Sequence, residues 1–434
     1  MRRDVVNSAK ALSQAWHQLE SSVPSDLLDP SLCLDLHPAM HSLRQKDPVH
    51  WSPQLNGWVL TRFEDIAAIL RDPRVTDAST TGRIDRMPEE ERKQLRPLRD
   101  SIALWMGHTR KEDHLRFQQF LKKYFSHRTV EQLRHKTQAL LDRLIDKLIQ
   151  DDEIDIVSEL AHPLSAGVIA EMLGTPIEDL DQLQRWSRTL NLLFRVRGFQ
   201  DLLEIQQTLL EMESYLKHFL DARRVERRED LISIFLDGLE NGDIASEEEI
   251  IANCILLLFA AEDTTASMMS NGMWMLLDHP DQLERLRQEP ALIPNAVEEM
   301  MRFDGPSTMI NRMAVENFEL HGRQIEAGQM VFLVLHAGNR DPEVFPEPDQ
   351  FDVGRKVMKH LAFGYGASYC LGAALARMEA HVFFETVLRR LGDLELTADG
   401  APWVPLPPLW RRLKSLWVRI HPAHTEAQAL TGTG

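Results

Sequence analysis

Cysteine is scarce in this chain. Only Cys33, Cys254 and Cys370 occur in 434 residues, and their number and spacing offer neither a disulfide framework nor a zinc site. Such usage implies a reducing cytoplasm. Positive charge is also in deficit, with 49 Lys and Arg against 66 Asp and Glu, a formal net charge of −17. That balance disfavours nucleic acid as a partner, because phosphates call for cationic surfaces. The stretch Met1 to Val23 is polar and mixed in charge, without the apolar core of a secretory signal or membrane anchor. The strongest apolar run, Ile250 to Ala261, ends in Glu262-Asp263, which suits a core helix better than a bilayer. No Gly-x-Gly-x-x-Gly follows a strand-like segment, and no cysteine cluster could hold iron and sulfur. Any redox chemistry must therefore draw its electrons from outside.

Glycine is scattered along the chain, but three glycines enclose one of the cysteines in the segment Phe363-Gly364-Tyr365-Gly366-Ala367-Ser368-Tyr369-Cys370-Leu371-Gly372. Its glycines permit backbone angles and close approaches that a Cβ resists. From Leu371 to Glu379 the chain reads as the start of a helix. Cys370 would then lie near a helix N-terminus, where unpaired N–H groups favour a thiolate. A thiolate in such a turn suits an axial ligand of haem iron. The bland alternative is a small buried cysteine after a tight turn.

This segment resembles the cysteine-ligand loop of the cytochrome P450 haem-thiolate monooxygenases, Phe-Gly-x-Gly-x-(His/Arg)-x-Cys-x-Gly. One position departs, since Ser368 stands where the family has a basic residue. The resemblance spans about residues 45 to 420 and implies haem b (iron protoporphyrin IX) as cofactor, with Cys370 as its metal ligand. It also implies that Phe363, Gly364 and Gly372 frame the cofactor.

A second segment carries chemistry of its own. Ser246-Glu247-Glu248-Glu249 is a capping-box signature, and the helix it opens should run to about Leu277. Helical spacing places Leu256, Phe259, Ala260, Asp263 and Thr264 along one face. Acids inside an apolar helix are costly unless paired or functional. A mid-helix threonine can bond its hydroxyl to the carbonyl one turn back and loosen the helix. Either a salt-bridged core helix or a water-holding acid and alcohol would satisfy the pattern. The resemblance favours the second: Ala260-Ala261-Glu262-Asp263-Thr264 is similar to the family's Ala/Gly-Gly-x-Asp/Glu-Thr. It implies proton delivery by Asp263 and Thr264, with Ala260 beside the cofactor. Ala261 replaces the family's second glycine. Cys254, about 200° around the helix from Leu256, reads as structural.

Further matches follow the resemblance. Glu299 and Arg302 resemble the family's Glu-x-x-Arg, and Arg355 its third, bracing member. Arg312 aligns with an arginine that binds a haem propionate, and Asp113-His114-Leu115-Arg116-Phe117-Gln118 resembles (Glu/Asp)-His-x-Arg-x-Arg. His114, Arg116 and Arg312 are thus the implied propionate-side residues, while Gln118 and Ser368 remove two usual cations. Weaker propionate pairing and a shifted reduction potential are expected.

The regions that contact substrate in the family supply Leu104, Trp105 and Met106, then Leu193 and Phe194. They also supply Leu256 and Phe259, Met309 and Ile310, and finally Leu406 and Leu409. Each is equally well a core residue, but together they favour a small to medium hydrophobic substrate. Basic residues near the cysteine loop in sequence, Arg355, Lys356, Lys359 and Arg377, and Lys122 and Lys123 earlier, would suit an acidic ferredoxin served by its reductase.

The expected fold is mainly α with small β-sheets (α+β), with haem between a long central helix and the cysteine-ligand loop. We expect residues 1–40 to form a partly ordered extension, 41–422 a single domain, and 423–434 a flexible tail. The expected activity is O2-dependent oxidation, most simply hydroxylation, in secondary metabolism. Two alternatives remain open at this point: a non-hydroxylating oxidation on the same haem, and a haem-binding partner protein that does not turn over.

Overall fold

A turn at Asn56, whose φ is 48°, folds β1 (Val49–Ser52) back on β2 (Gly57–Leu60). Ser52 and Gly57 are register partners, so a four-residue loop closes the hairpin. The computed structural model describes residues 27, 32, 36–77, 80–106, 111–194, 198–356, 359–366, 369–397, 403–404 and 410–421. Outside the described residues lie most of the 1–40 extension, the 423–434 tail, Ser368, Leu406, Leu409 and the side chains of His114 and Phe194.

The remaining strands are β3 (Val75–Asp77), β4 (Glu153–Asp155), β5 (Met309–Ala314), β6 (Phe318–Leu320), β7 (Arg323–Ile325), β8 (Met330–Val334), β9 (Asp393–Leu396) and β10 (Trp417–His421). The helices that matter below are α1 (His37–Lys46), α2 (Phe63–Ile69), α3 (Lys111–Lys122), α4 (His162–Leu173), α5 (Phe199–Val225), α6 (Glu247–Asp278), α7 (Ile293–Asp304) and α8 (Ala373–Arg390). The chain forms two compact units, one of Met1–Ala78, Glu298–Cys370 and Trp403–Arg412, the other of Ser79–Val297, Leu371–Pro402 and Leu413–Gly434.

The first unit is built on a five-stranded sheet in the order β1-β2-β8-β5-β3, in which only β2 and β8 run parallel. Strand alternation sorts its side chains to two faces. Leu60, Val331 and Leu333 join Phe63, Ile66 and Ala67 of α2 in one core. Val59, Phe332 and Val334 join Ala39, Met40 and Leu43 of α1 in the other.

The second unit is largely helical. Ser246 caps α6 by accepting from the Glu249 N–H at 3.2 Å, and the helix ends before Pro280, close to its expected limits. Instead of completing the reciprocal half of the box, Glu249 accepts the Ala245 N–H at 2.6 Å. A π-helical turn, Ile156–Ala161, leads directly into α4, which packs along α6. Two helical stretches, Ile156–Leu173 and Glu247–Asp278, are long and apolar enough to cross a membrane. Both are mostly buried within the protein, as core helices are. The three-stranded sheet β4-β10-β9 completes this unit. Just before β10, the Leu416 carbonyl accepts the Ile156 N–H at 3.0 Å.

Candidate active site

One turn of α6 is unlike the rest of that buried helix. Ala260 is exposed, and Leu256 and Thr264, four residues to either side, are half-buried. Residues spaced by four share a face, so the open stripe is Leu256-Ala260-Thr264. Phe259 and Asp263, expected on the same face, are turned inward and buried. The Thr264 hydroxyl donates to the Ala260 carbonyl at 2.8 Å, and the Ser165 hydroxyl from α4 donates to the Ala261 carbonyl at 3.0 Å. Two successive carbonyls thus carry side-chain donors, which loosens a helix locally.

The acids of this turn are deeply placed. Glu262 and Asp263 are both buried, and Glu262 Oε1 lies 2.7 Å from His162 Nδ1. Asp263 Oδ1 lies 3.9 Å from His162 Nε2. Neither His162 nor Ser165 is signalled by any local sequence pattern, because each lies about a hundred residues from its partner.

Around this turn the second unit is apolar. Trp105 is buried with its ring 5.8 Å from that of Phe259. Asn253, which the sequence reading passes over, holds this neighbourhood in place: it accepts the Met106 N–H at 2.8 Å and donates to the Leu104 carbonyl at 2.9 Å. Leu104 and Leu193 are half-buried. Cys254 is buried, and desolvation pushes its thiol pKa up, as suits a structural residue. Arg116 is engaged within the second unit. Its guanidinium donates to Glu249 Oε1 at 2.8 Å and to the Asp243 carbonyl, so in this structure it braces the start of α6.

The cysteine loop belongs to the first unit. Gly364 and Gly366 have φ of 74° and 67°, where a side chain is strained. A Cβ on Gly366 would also stand 2.8 Å from Arg71 Cγ. The Cys370 N–H donates to the Phe363 carbonyl at 2.8 Å, closing the loop on itself. Phe363 is buried, its ring 5.8 Å from His360 and 6.3 Å from Tyr369. Cys370 is exposed, two residues before Gly372, the N-cap of α8.

Nearby in the same unit, Glu299 and Arg302 are fully buried and doubly bonded at 2.7 and 2.8 Å. Arg355 Nε reaches Glu299 Oε1 at 3.1 Å and donates further to the carbonyls of Pro346, Glu347 and Gln350. That commitment removes Arg355 from the cations that could face a redox partner; Lys356 and Lys359 are exposed. Arg312 is buried and ion-paired with Asp77 at 2.6 Å, its register partner across β3 and β5. Met309 is packed into the α1 core, and Ile310 packs against the opposite core. Strand alternation in β5 commits the two side chains to the two faces of the sheet.

The donor chemistry fits a haem. Among the described residues, the group of side chains able to share a metal ion is His37, Asp304 and His336, and Cys370 is not part of it. An exposed thiol outside that group suits a cofactor that needs one protein ligand and brings its own remaining donors. The sequence profile described as Cytochrome P450 matches residues 169–408. This chain belongs to the cytochrome P450 family. Polyketide biosynthesis cytochrome P450 PksS of Bacillus subtilis (strain 168) is 33% identical over 372 residues, covering 83% of this chain and 90% of that protein. Cytochrome P450 107B1 of Saccharopolyspora erythraea is 36% identical over 405 residues, covering 91% and 98%. The crystal structure of P450BioI in complex with hexadec-9Z-enoic acid ligated acyl carrier protein superposes with a TM-score of 0.83 at 33% identity, over 90% of this chain and 99% of that one. The fold is therefore that of a cytochrome P450, and the chain is an enzyme of this monooxygenase family, whose cofactor is a thiolate-ligated haem.

Proposed function

We propose that this cytochrome P450 uses dioxygen and externally supplied electrons to hydroxylate a small to medium hydrophobic molecule of secondary metabolism. The observation that carries the reading is the opened turn of α6, where Ala260 is exposed and the Thr264 hydroxyl is turned onto the Ala260 carbonyl. Haem b, when bound, supplies the redox centre at which dioxygen is activated. Cys370 would hold its iron as a thiolate, with Phe363, Gly364 and Gly372 shaping the ligand loop. His114 and Arg312 are the residues proposed for the propionates. Thr264 would hold a water through its hydroxyl, and Asp263 would take up and release protons at its carboxylate. Leu104, Trp105, Leu193, Leu256 and Phe259 would present apolar surface to the substrate.

Two relatives support a hydrophobic substrate by their names: one acts in polyketide biosynthesis and one is bound to a carrier-linked fatty acid. We propose a ferredoxin and its reductase as electron donors, with the exposed Lys122, Lys123, Lys356 and Lys359 as candidate contacts. A cytoplasmic location, with residues 41–422 as the family domain, completes the reading.

The carbon-monoxide difference spectrum of the reduced holoprotein tests the premise. A band at the thiolate-ligated position that disappears in Cys370→Ala is expected; its absence, or its persistence in the variant, overturns the assignment. A compound screen for substrate-induced shifts of the Soret band then identifies the substrate class. If polar compounds alone shift it, the hydrophobic reading fails.

A further inference from the structure

We propose that His162 is the residue through which protons from solvent reach Asp263, an inference that rests on the reading of Asp263 given above. His162 sits where the chain passes from the π-helical turn Ile156–Ala161 into α4. Such turns recur at functional sites and rotate the residues that follow them. Consecutive residues of a helix point about 100° apart, so Glu262 and Asp263 face different directions. One imidazole nonetheless lies beside both: Nδ1 is 2.7 Å from Glu262 Oε1, and Nε2 is 3.9 Å from Asp263 Oδ1.

Exposure separates the three groups. The His162 side chain is 24% accessible, whereas those of Glu262 and Asp263 are 4% and 10% accessible. The ring is thus the partly open member of an otherwise enclosed set. Glu262 Oε2 is buried without a hydrogen-bond partner, so Oε1 supplies that carboxylate's contact with the ring. Accepting from Nδ1–H fixes the tautomer and leaves Nε2 as the nitrogen that exchanges protons, the usual effect of a carboxylate behind a histidine. The 3.9 Å gap to Asp263 is longer than a hydrogen bond. A small swing of the ring, or one water, would close it. Ser165, one turn along α4, ties the same helix to the Ala261 carbonyl at 3.0 Å, which holds the ring in register with the acids.

The balance of the reaction gives this path a task. Hydroxylation converts RH, dioxygen, two electrons and two protons into ROH and water; the electrons come from the external donor and the protons from solvent. One C–H bond and the O–O bond break, one oxygen enters the product, and the other leaves as water. His162 passes a proton from Nε2 to the Asp263 carboxylate and is reprotonated from bulk water. It acts through Asp263 and does not itself touch the reacting atoms.

The test compares His162→Gln with Asp263→Asn in the holoenzyme. His162→Gln should slow dioxygen-driven turnover roughly 100-fold, the lower end of what a positioned acid–base group contributes. It should also raise the solvent isotope effect, and added imidazole should restore part of the rate. Peroxide-driven turnover should fall much less, because peroxide carries its own protons. A non-kinetic readout is the ring 15N spectrum of the diamagnetic ferrous carbon-monoxide form: Asp263→Asn should shift His162 Nε2 and leave His336 unmoved. If Asp263→Asn slows turnover while His162→Gln does not, or if Nε2 ignores Asp263→Asn, the His162 proposal is overturned. If Asp263→Asn has no effect on turnover, the reading of Asp263 itself fails.

Discussion

Arg302 grips Glu299 through two parallel hydrogen bonds, Nε to Oε2 at 2.7 Å and Nη2 to Oε1 at 2.8 Å, with both side chains fully buried. A surface pair at this helical spacing would be worth a few tenths of a kcal/mol. Here burial reverses the scale, since removing one partner strands the other charge in the interior. Arg302→Ala should cost about 3–5 kcal/mol of folding stability. Arg302→Lys should also be strongly destabilising, because an ammonium cannot reproduce the two parallel bonds or the contacts to the Asn339 and Pro348 carbonyls. Denaturant unfolding measures both; losses below ~1 kcal/mol would show that the pair is not a structural brace.

Thr264→Ala removes the hydroxyl bonded to the Ala260 carbonyl. The loss to folding should stay within about 1 kcal/mol, the worth of a neutral hydrogen bond. Product formed per dioxygen consumed should instead fall several-fold, with Thr264→Ser recovering much of it. Equal coupling in Thr264→Ala and wild type would remove Thr264 from the proton machinery.

His336 makes stability depend on acid. Burial is the main cause that lowers its pKa from 6.5 to about 4; Nε2 bonds to the Gly305 carbonyl at 2.7 Å. Above pH 6.5 the ring is neutral in both folded and unfolded chains, so its contribution is complete. Between pH 6.5 and about 4 the unfolded chain binds a proton that the folded chain refuses, and stability falls as pH falls. The loss over that window should be about 3 kcal/mol. In His336→Gln that part of the pH slope should flatten, as urea titrations at pH 7 and pH 4.5 would show.

Glu379 has the opposite sign. It is buried in α8, its Oε2 lacks a hydrogen-bond partner, and desolvation raises its pKa well above 4.5. Stability from this group is complete below the unfolded pKa and declines as pH rises, because the unfolded chain ionises first. Glu379→Gln, neutral at every pH, should therefore be more stable than wild type at pH 8 and lose that advantage near pH 4.5. Thermal unfolding of the holoprotein checks it; an advantage that does not depend on pH would mean that Glu379 is ionised in the fold.

Much of the site is legible in the chain alone, for a physical reason. The cap at Ser246, the hydroxyl of Thr264 four residues after Ala260, the Glu299 and Arg302 pair, and the glycines before Cys370 all act within one or two turns of the backbone. Short-range geometry follows from spacing, so these features show in the chain itself. Other side chains have surroundings that only distant partners set. Met309 and Ile310 suit a pocket in isolation, but pairing of β5 with β8 commits one to each core. Arg116 matches a propionate-side position, yet it spans more than a hundred residues to brace Glu249.

By itself, then, the sequence singled out candidates for the chemistry: one thiol in a glycine turn, one acid beside one alcohol in a long apolar helix. Tertiary structure decided which partners the candidate groups meet. Packing of α4 along α6 brings His162 to two acids about a hundred residues away, and β3 pairing with β5 sets Asp77 against Arg312. No local pattern encodes such contacts, because burial and side-chain direction in one element are fixed only when another packs against it.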